Sequence, residues 1–202
     1  MQKSNAEIVK DVRVCMDESG TDESVWLSST DNETLDEVIK SKLAEAYRWV
    51  NVYADEYLLD PNVSTKNISV SNGKATLDVP YTTLRVLGIK VPSWGRYVSE
   101  YIRATDKAYA ELQNPITTGT KDNPRVAVVN GGGGNYTYEL YGVSSADTKA
   151  TVYAIDGWDD DNNNISDKVY DAMVMYCAGL VFKTFKDAHG DVLMNQAMTM
   201  IK

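Results

Sequence analysis

The 202-residue chain has one histidine, His189, and two cysteines, Cys15 and Cys177. Nucleophilic catalysis by a Ser–His or Cys–His pair would have to run through that single imidazole. The cysteines lie far apart and form no CxxC, so with one histidine they offer zinc no close ligand pair. They read as free buried thiols of a reducing compartment. No run reaches the ~18 apolar residues of a membrane span. The opening, MQKSNAEIVKDVR, lacks the apolar core of a signal peptide, so the chain is expected to stay on the side of the membrane where it is made. Cations are in deficit too: 20 Lys and Arg stand against 29 Asp and Glu, a net charge of −9. Proteins that grip phosphate backbones show the opposite balance, so direct nucleic-acid binding is disfavoured. What is present is ordinary globular chemistry, 43% hydrophobic and 24% charged. That suffices for one domain, or one domain carrying a sub-domain.

Periodicity divides the chain into helical ends and a β-rich middle. Ser4 and Glu7 form a capping-box pair ahead of a short helix over 5–16, with Ile8, Val9, Val12 and Cys15 on one stripe. A polar loop over 17–29 follows, anchored by Trp26 and Leu27. Thr30 and Glu33 repeat the capping pattern before a long amphipathic helix over 33–57, ended by Asp60-Pro61. Residues 66–70 and 75–79 read as strands joined by Asn72-Gly73, a pair that tolerates positive φ. Residues 84–91 read as a third strand. Tyr97, Tyr101, Ala104, Ala108 and Leu112 keep helical spacing across 94–112, and the Asn-Pro steps of 113–124 mark a loop. Strands at 125–130 and 136–141 flank a GGGG tip at 131–134, expected to be a mobile hairpin end that orders only against a neighbour. A further strand covers 151–155 before the polar break 156–164. Ser166 caps the last major helix, which runs to Lys186 and is stopped by His189-Gly190. An amphipathic tail over 192–201 carries Met194, Met198 and Ile201.

The two helical ends have apolar stripes with no other partner in the sequence. Full burial of one large apolar side chain contributes ~1.5–3 kcal/mol, so leaving both stripes wet would forfeit more than a domain's margin. The expected fold is therefore α+β: a helical bundle of N- and C-terminal helices with an inserted antiparallel β sub-domain. Its parts are 1–62, 63–157 and 158–202, the last packing on the N-terminal helices.

No residue set stands out as catalytic, cofactor-binding or metal-binding. His189, where a helix is expected to end, reads as a partner of the last carbonyls and the negative end of the helix dipole. Asp159, Asp161, Asn163 and Asp167 begin like a calcium loop, but Asn164 replaces the glycine at position six and Tyr170 the glutamate at position twelve. A solvated acidic loop beside a helix N-terminus accounts for them. The GGGG tract lacks the Lys-Ser/Thr of a phosphate loop, and a strand follows it. Trp49, Tyr53 and Tyr176 fall on core stripes, whereas Trp94 and Trp158, at element boundaries, are the better surface candidates.

The order of elements carries a resemblance. An aromatic-rich helix, AYRWVNVYADEYLL (46–59), precedes DVPYTTLRVLGIKV (78–91). NPITTGTKDNP (114–124) then leads into a hairpin, and the closing helix is DKVYDAMVMYCAGLVFKTFKD (167–187). This resembles the head–tail connector proteins of tailed bacteriophages: the adaptor or collar ring proteins of short-tailed phages, including those of crAss-like phages. The resemblance implies a virion structural protein, assembled in the host cytoplasm, that forms a ring between portal and tail. That homo-oligomer is commonly a dodecamer. Its helices would form the wall against the portal protein or neighbouring subunits. Its β part would reach other ring, tail or fibre proteins, and DNA would pass through the lumen without specific binding. No catalytic residue, cofactor, metal or membrane belongs to the pattern. A ring subunit also gives a reason for helix faces apolar nearly all round, as in Met173, Val174, Met175, Tyr176 and Cys177, and for the methionines Met194, Met198 and Met200 beside Ile201. The alternative is a carbohydrate- or protein-binding module using Trp94, Trp158 and the tyrosines of YTYELY (136–141). A hydrolase using paired carboxylates ranks last.

Overall fold

The computed structural model describes residues 3–16, 29–131, 133–160 and 164–202, the side chains of 29–34 excepted. The expectations for Trp26 and Leu27, for the Thr30–Glu33 capping pair and for Asp161 and Asn163 lie outside the described residues. The chain is α+β and divides into two compact units, Met1–Asp60 with Gly157–Lys202, and Pro61–Asp156.

The first unit is the helical bundle. Helix α1 (Asn5–Cys15) opens with the expected capping box: Glu7 N–H donates to Ser4 Oγ (3.3 Å) and Ser4 N–H to Glu7 Oε2 (2.9 Å). Helix α2 (Ser29–Tyr53) buries Leu35, Ile39, Leu43, Ala46, Tyr47 and Val50, a stripe at the spacing that keeps one face inward. It lies N-terminal of the expected 33–57, because Asp55 N–H leaves the helical ladder and donates to Ile201 O (3.2 Å). A single 3-10 turn, Glu56–Leu58, follows. Tyr53 and Tyr57 therefore fall outside the core, 67% and 66% exposed, contrary to the core role expected for Tyr53.

Helix α4 (Asp167–Thr184) packs against α1, α2 and α5 (His189–Met200) and is buried on nearly every side. Trp49 stacks on its Tyr176, ring centroids 3.9 Å apart. Ser166 holds the cap position only by backbone: its hydroxyl bonds to no helix N–H and is buried without a partner. The helix ends earlier than expected, in a double closure. Lys186 N–H donates to Lys183 O (3.0 Å) and Asp187 N–H to Phe182 O (3.0 Å), with Lys186 in the left-handed region at φ 61°. His189-Gly190 thus begins α5 instead of stopping α4. The contact between these two helices is backbone on backbone. A Cβ on Gly190 would sit 2.6 Å from Gly179 O, and one on Gly179 would sit 2.8 Å from Gly190 O. The buried stripe of α5 is accordingly Gly190, Leu193 and Ala197, continued by Ile201, and Met198 points outward.

The second unit holds two sheets. One has the order β1-β8-β4, from β1 (Asn62–Asn67), β8 (Lys149–Asp156) and β4 (Thr83–Lys90), all antiparallel. The other has the order β2-β3-β7-β6-β5, from β2 (Ser69–Ser71), β3 (Lys74–Pro80), β7 (Asn135–Tyr141), β6 (Arg125–Asn130) and β5 (Tyr101–Arg103). Asn72 (φ 53°) and Gly73 (φ 73°) make the expected tight turn between β2 and β3. Inward residues of both sheets meet in one core: Ala75, Leu77 and Val79 of β3, Leu140 of β7, Ile89 of β4, Val152 of β8.

Two corrections concern the stretch expected to be helical over 94–112. Trp94 is 2% exposed and its indole N–H donates to Gly142 O (3.0 Å), which draws this segment onto the sheets. Val98 then bridges to Ile89, and Tyr101–Arg103 forms β5. Only Lys107–Leu112 (α3) is helical. The helical spacing of the tyrosines is coincidental, because long-range strand pairing overrides local periodicity. Since β5 pairs with β6 in parallel, the inserted sub-domain is mixed and not purely antiparallel.

Candidate functional site

The structure disperses most of the residues singled out by chemistry. His189 lies at the start of α5. Its backbone N–H donates to Asp187 Oδ1 (2.8 Å) and its ring packs edge-on against Phe182 of α4. Asp160, beside Asp159, accepts from Trp158 Nε1 (2.8 Å) and Asn5 Nδ2 (3.2 Å). Among the described residues no three His, Cys, Asp or Glu side chains gather as metal ligands, and no helix is long and apolar enough to cross a membrane. Cys177 is buried, with its thiol pushed up to about 12 chiefly by that burial, and Cys15 is half-buried. The hairpin tip meets a neighbour within its own unit: Tyr81 N–H donates to Gly134 O (3.0 Å), Tyr81 Oη–H to Gly131 O (3.2 Å), and Tyr81 packs edge-on against Tyr136. The aromatic surface proposed for sugar binding is largely interior. Trp94, Tyr138 and Tyr141 are buried, and Trp158 is half-buried against Tyr47, which leaves Tyr136 exposed.

The best-organised polar cluster lies on the outer face of the five-stranded sheet. Antiparallel register sets Lys74 opposite Tyr141 and Thr76 opposite Glu139. Helix α3 covers part of this face through Tyr109 and Leu112, which pack with Ala127, Tyr141 and Ile102. Glu139 takes hydrogen bonds from Tyr109 Oη (2.9 Å) and Tyr141 Oη (2.6 Å) on one oxygen and an ion pair from Lys74 Nζ (2.8 Å) on the other. Gln113 Nε2 donates to Tyr141 Oη (2.8 Å). Burial alone would raise the Glu139 carboxyl, but the bonds from Lys74, Tyr141 and Tyr109 outweigh it and hold the group below the usual carboxylate range. Burial and the Glu139 contact together push the Tyr141 phenol up to about 12. Beside this network, where α3 stops covering the sheet, opens a cavity of about 800 Å³ lined by Ser69, Ser71, Lys74, Thr76, Gln113 and Tyr141. It offers hydroxyl and amide hydrogen bonding, with its cation already neutralised.

The network's pH signature follows from these directions. A carboxyl whose folded pKa is depressed stabilises above its unfolded value, and that contribution is lost as pH falls through the folded one. A phenol whose pKa is raised keeps its contribution below its ordinary value of ~10 and loses it as pH climbs toward the folded one. Glu139→Gln is expected to cost about 1–3 kcal/mol near neutrality. The gap from the parent should narrow below pH ~4. Denaturant titrations at several pH values test this; a gap of constant size across the range refutes it.

Charge is distributed unevenly, a signal that counting by segment makes legible in the sequence. Pro61–Asp156 contains ten Lys and Arg against eight Asp and Glu, whereas the rest of the chain contains ten against 21. The β unit is therefore +2 and the helical unit −11. A second cavity of about 430 Å³ in the β unit is lined by Arg96, Tyr97, Ser99, Glu100, Asp106 and Arg125, among others. Among the described residues neither Arg96 nor Arg125 has an acidic partner. The helical unit, for its part, exposes large apolar side chains: Val52 and Tyr53 at the end of α2, and Met198 and Met200 at the end of α5. The Asp55–Ile201 hydrogen bond joins these two helix ends. Sequence comparison finds no protein-family model that matches the chain and no curated protein similar to it.

Proposed function

We propose that this protein is a virion structural protein: the subunit of a homo-oligomeric ring that connects portal to tail in a tailed bacteriophage. The ring provides a passage for DNA and a docking surface for tail proteins. It is built in the host cytoplasm and carries out no chemical step. The observation that carries the reading is the apolar set on the joined ends of α2 and α5: Val52, Tyr53, Met198 and Met200. Burying a large apolar side chain contributes ~1.5–3 kcal/mol, so four of them on two tied helix ends favour a covered surface. The helix-bundle-with-β-insertion fold is the second support, since its order of elements is the one in which the sequence resembles connector ring proteins. Cyclic rings need heterologous contacts, one face meeting a different one, and two units of unlike surface supply two such faces.

The purified protein, alone or with the cognate portal protein, is expected to form closed rings visible by negative stain, with a native mass that is a whole multiple of the subunit. Tyr53→Glu combined with Met198→Glu, both at exposed positions, should convert the ring to monomer without loss of helical content. A wild-type chain that stays monomeric at every concentration and ignores the portal overturns the reading.

A further inference from the structure

We propose that the Arg96–Arg125 cleft of the β unit receives the segment around Asp55, at the end of α2, of a second copy of this chain. The inference rests on the ring reading and names the surfaces that meet.

The argument begins with repulsion. Identical subunits of net charge −9 repel one another, so close association requires the cations of one copy to face the anions of the next. The uneven distribution of charge provides for this, because a +2 unit can meet a −11 unit only if different faces come together. Such a contact is heterologous, the kind that closes by rotation. Within the β unit, the cleft is where two guanidiniums without acidic partners line one concavity. Planar guanidiniums bind carboxylates through paired N–H donors, which makes arginine better suited to this than lysine. The acids of the cleft do not fill that role. Asp106 Oδ2 already accepts the Arg103 backbone N–H (2.8 Å), and Glu100 pairs with neither guanidinium.

Apolar chemistry matches as well. Tyr97, 58% exposed, lines the same cleft and offers an aromatic face beside the cations. On the helical unit, Asp55 is exposed and lies two residues after Tyr53, at the apolar end of α2. One short segment thus presents a carboxylate and an aromatic ring, and the cleft presents guanidiniums and an aromatic ring. The contact proposed is Asp55 against Arg96 and Arg125, with Tyr53 against Tyr97. Charged rims of this kind set register and on-rate more than raw affinity.

The test is charge reversal and restoration in the full chain, followed by sedimentation and negative stain at low and high salt. Arg96→Glu with Arg125→Glu should weaken self-association at low salt by about tenfold or more and flatten its salt dependence, because screening acts on the lost pairs. Adding Asp55→Lys to that chain should restore rings. Circular dichroism checks folding, and Arg96→Gln with Arg125→Gln carries the same test should the reversal misfold. Rings that form as in the wild type after reversal, or reversal that Asp55→Lys does not repair, overturn this inference and leave the ring reading standing. A wild-type chain that is monomeric throughout overturns both.

Discussion

Trp94→Ala is expected to lower the stability of the β unit by about 3–5 kcal/mol, among the largest effects of any single substitution in this protein. The indole is enclosed by the core that both sheets share, at 2% exposure, and its N–H satisfies Gly142 O at 3.0 Å. Truncation removes the buried ring, leaves a void that close-packed strands fill poorly, and deprives a carbonyl of its donor. Trp94→Phe separates these terms, since it retains most of the packing and loses only the hydrogen bond, at about 1–3 kcal/mol. Urea denaturation followed by far-ultraviolet circular dichroism measures both. A Trp94→Ala loss below about 1 kcal/mol would mean that the residue is not the core element its burial makes it.

Gly179→Ala should destabilise the helical unit, and here the sign is the test. In an open helix interior the same change stabilises by roughly 1 kcal/mol, because alanine has the higher helix propensity. At position 179 the added methyl would sit 2.6 Å from Met194 Cγ and 2.8 Å from Gly190 O. The methionine can move, but the carbonyl belongs to the first turn of α5 and moves only with that helix. Gly179→Val enlarges the clash and should cost about 3 kcal/mol. Thermal melts of both variants decide the matter: an alanine variant that melts above the parent would show that α4 and α5 are not in backbone contact.

The parts of this fold legible in the sequence are those in which local pattern and tertiary environment agree. The α2 stripe from Leu35 to Val50, the capping box at Ser4 and the Asn72-Gly73 turn each follow from residues within a few positions of one another, and each is found. Helix stops were harder. Phe185 and Lys186 close α4 with a lysine in left-handed backbone, where sequence alone points to the Gly190 that follows. The segment after Trp94 misleads for the opposite reason: tyrosines spaced like a helix stripe pair as extended chain with strands distant in sequence. The site was less legible than the fold. Glu139, Tyr109 and Lys74 come from three separate elements and meet only through sheet register. Arg96 and Arg125 line one cleft although nothing in either neighbourhood marks them. Only the charge of the whole 61–156 segment, set against the remainder, marks its cations out.

The pairing of β1 with β8 sets where the chain enters and leaves the β unit. Asn62 lies opposite Ala154 and its amide donates to Asp156 Oδ2 (3.0 Å), so the chain enters and leaves the β unit on adjacent strands of one ladder. Paired strands of an antiparallel ladder run about 5 Å apart, so the two crossing points lie close in space. A segment entered and left at neighbouring points is a self-contained insert, whose length can change without moving the places where the rest of the chain resumes.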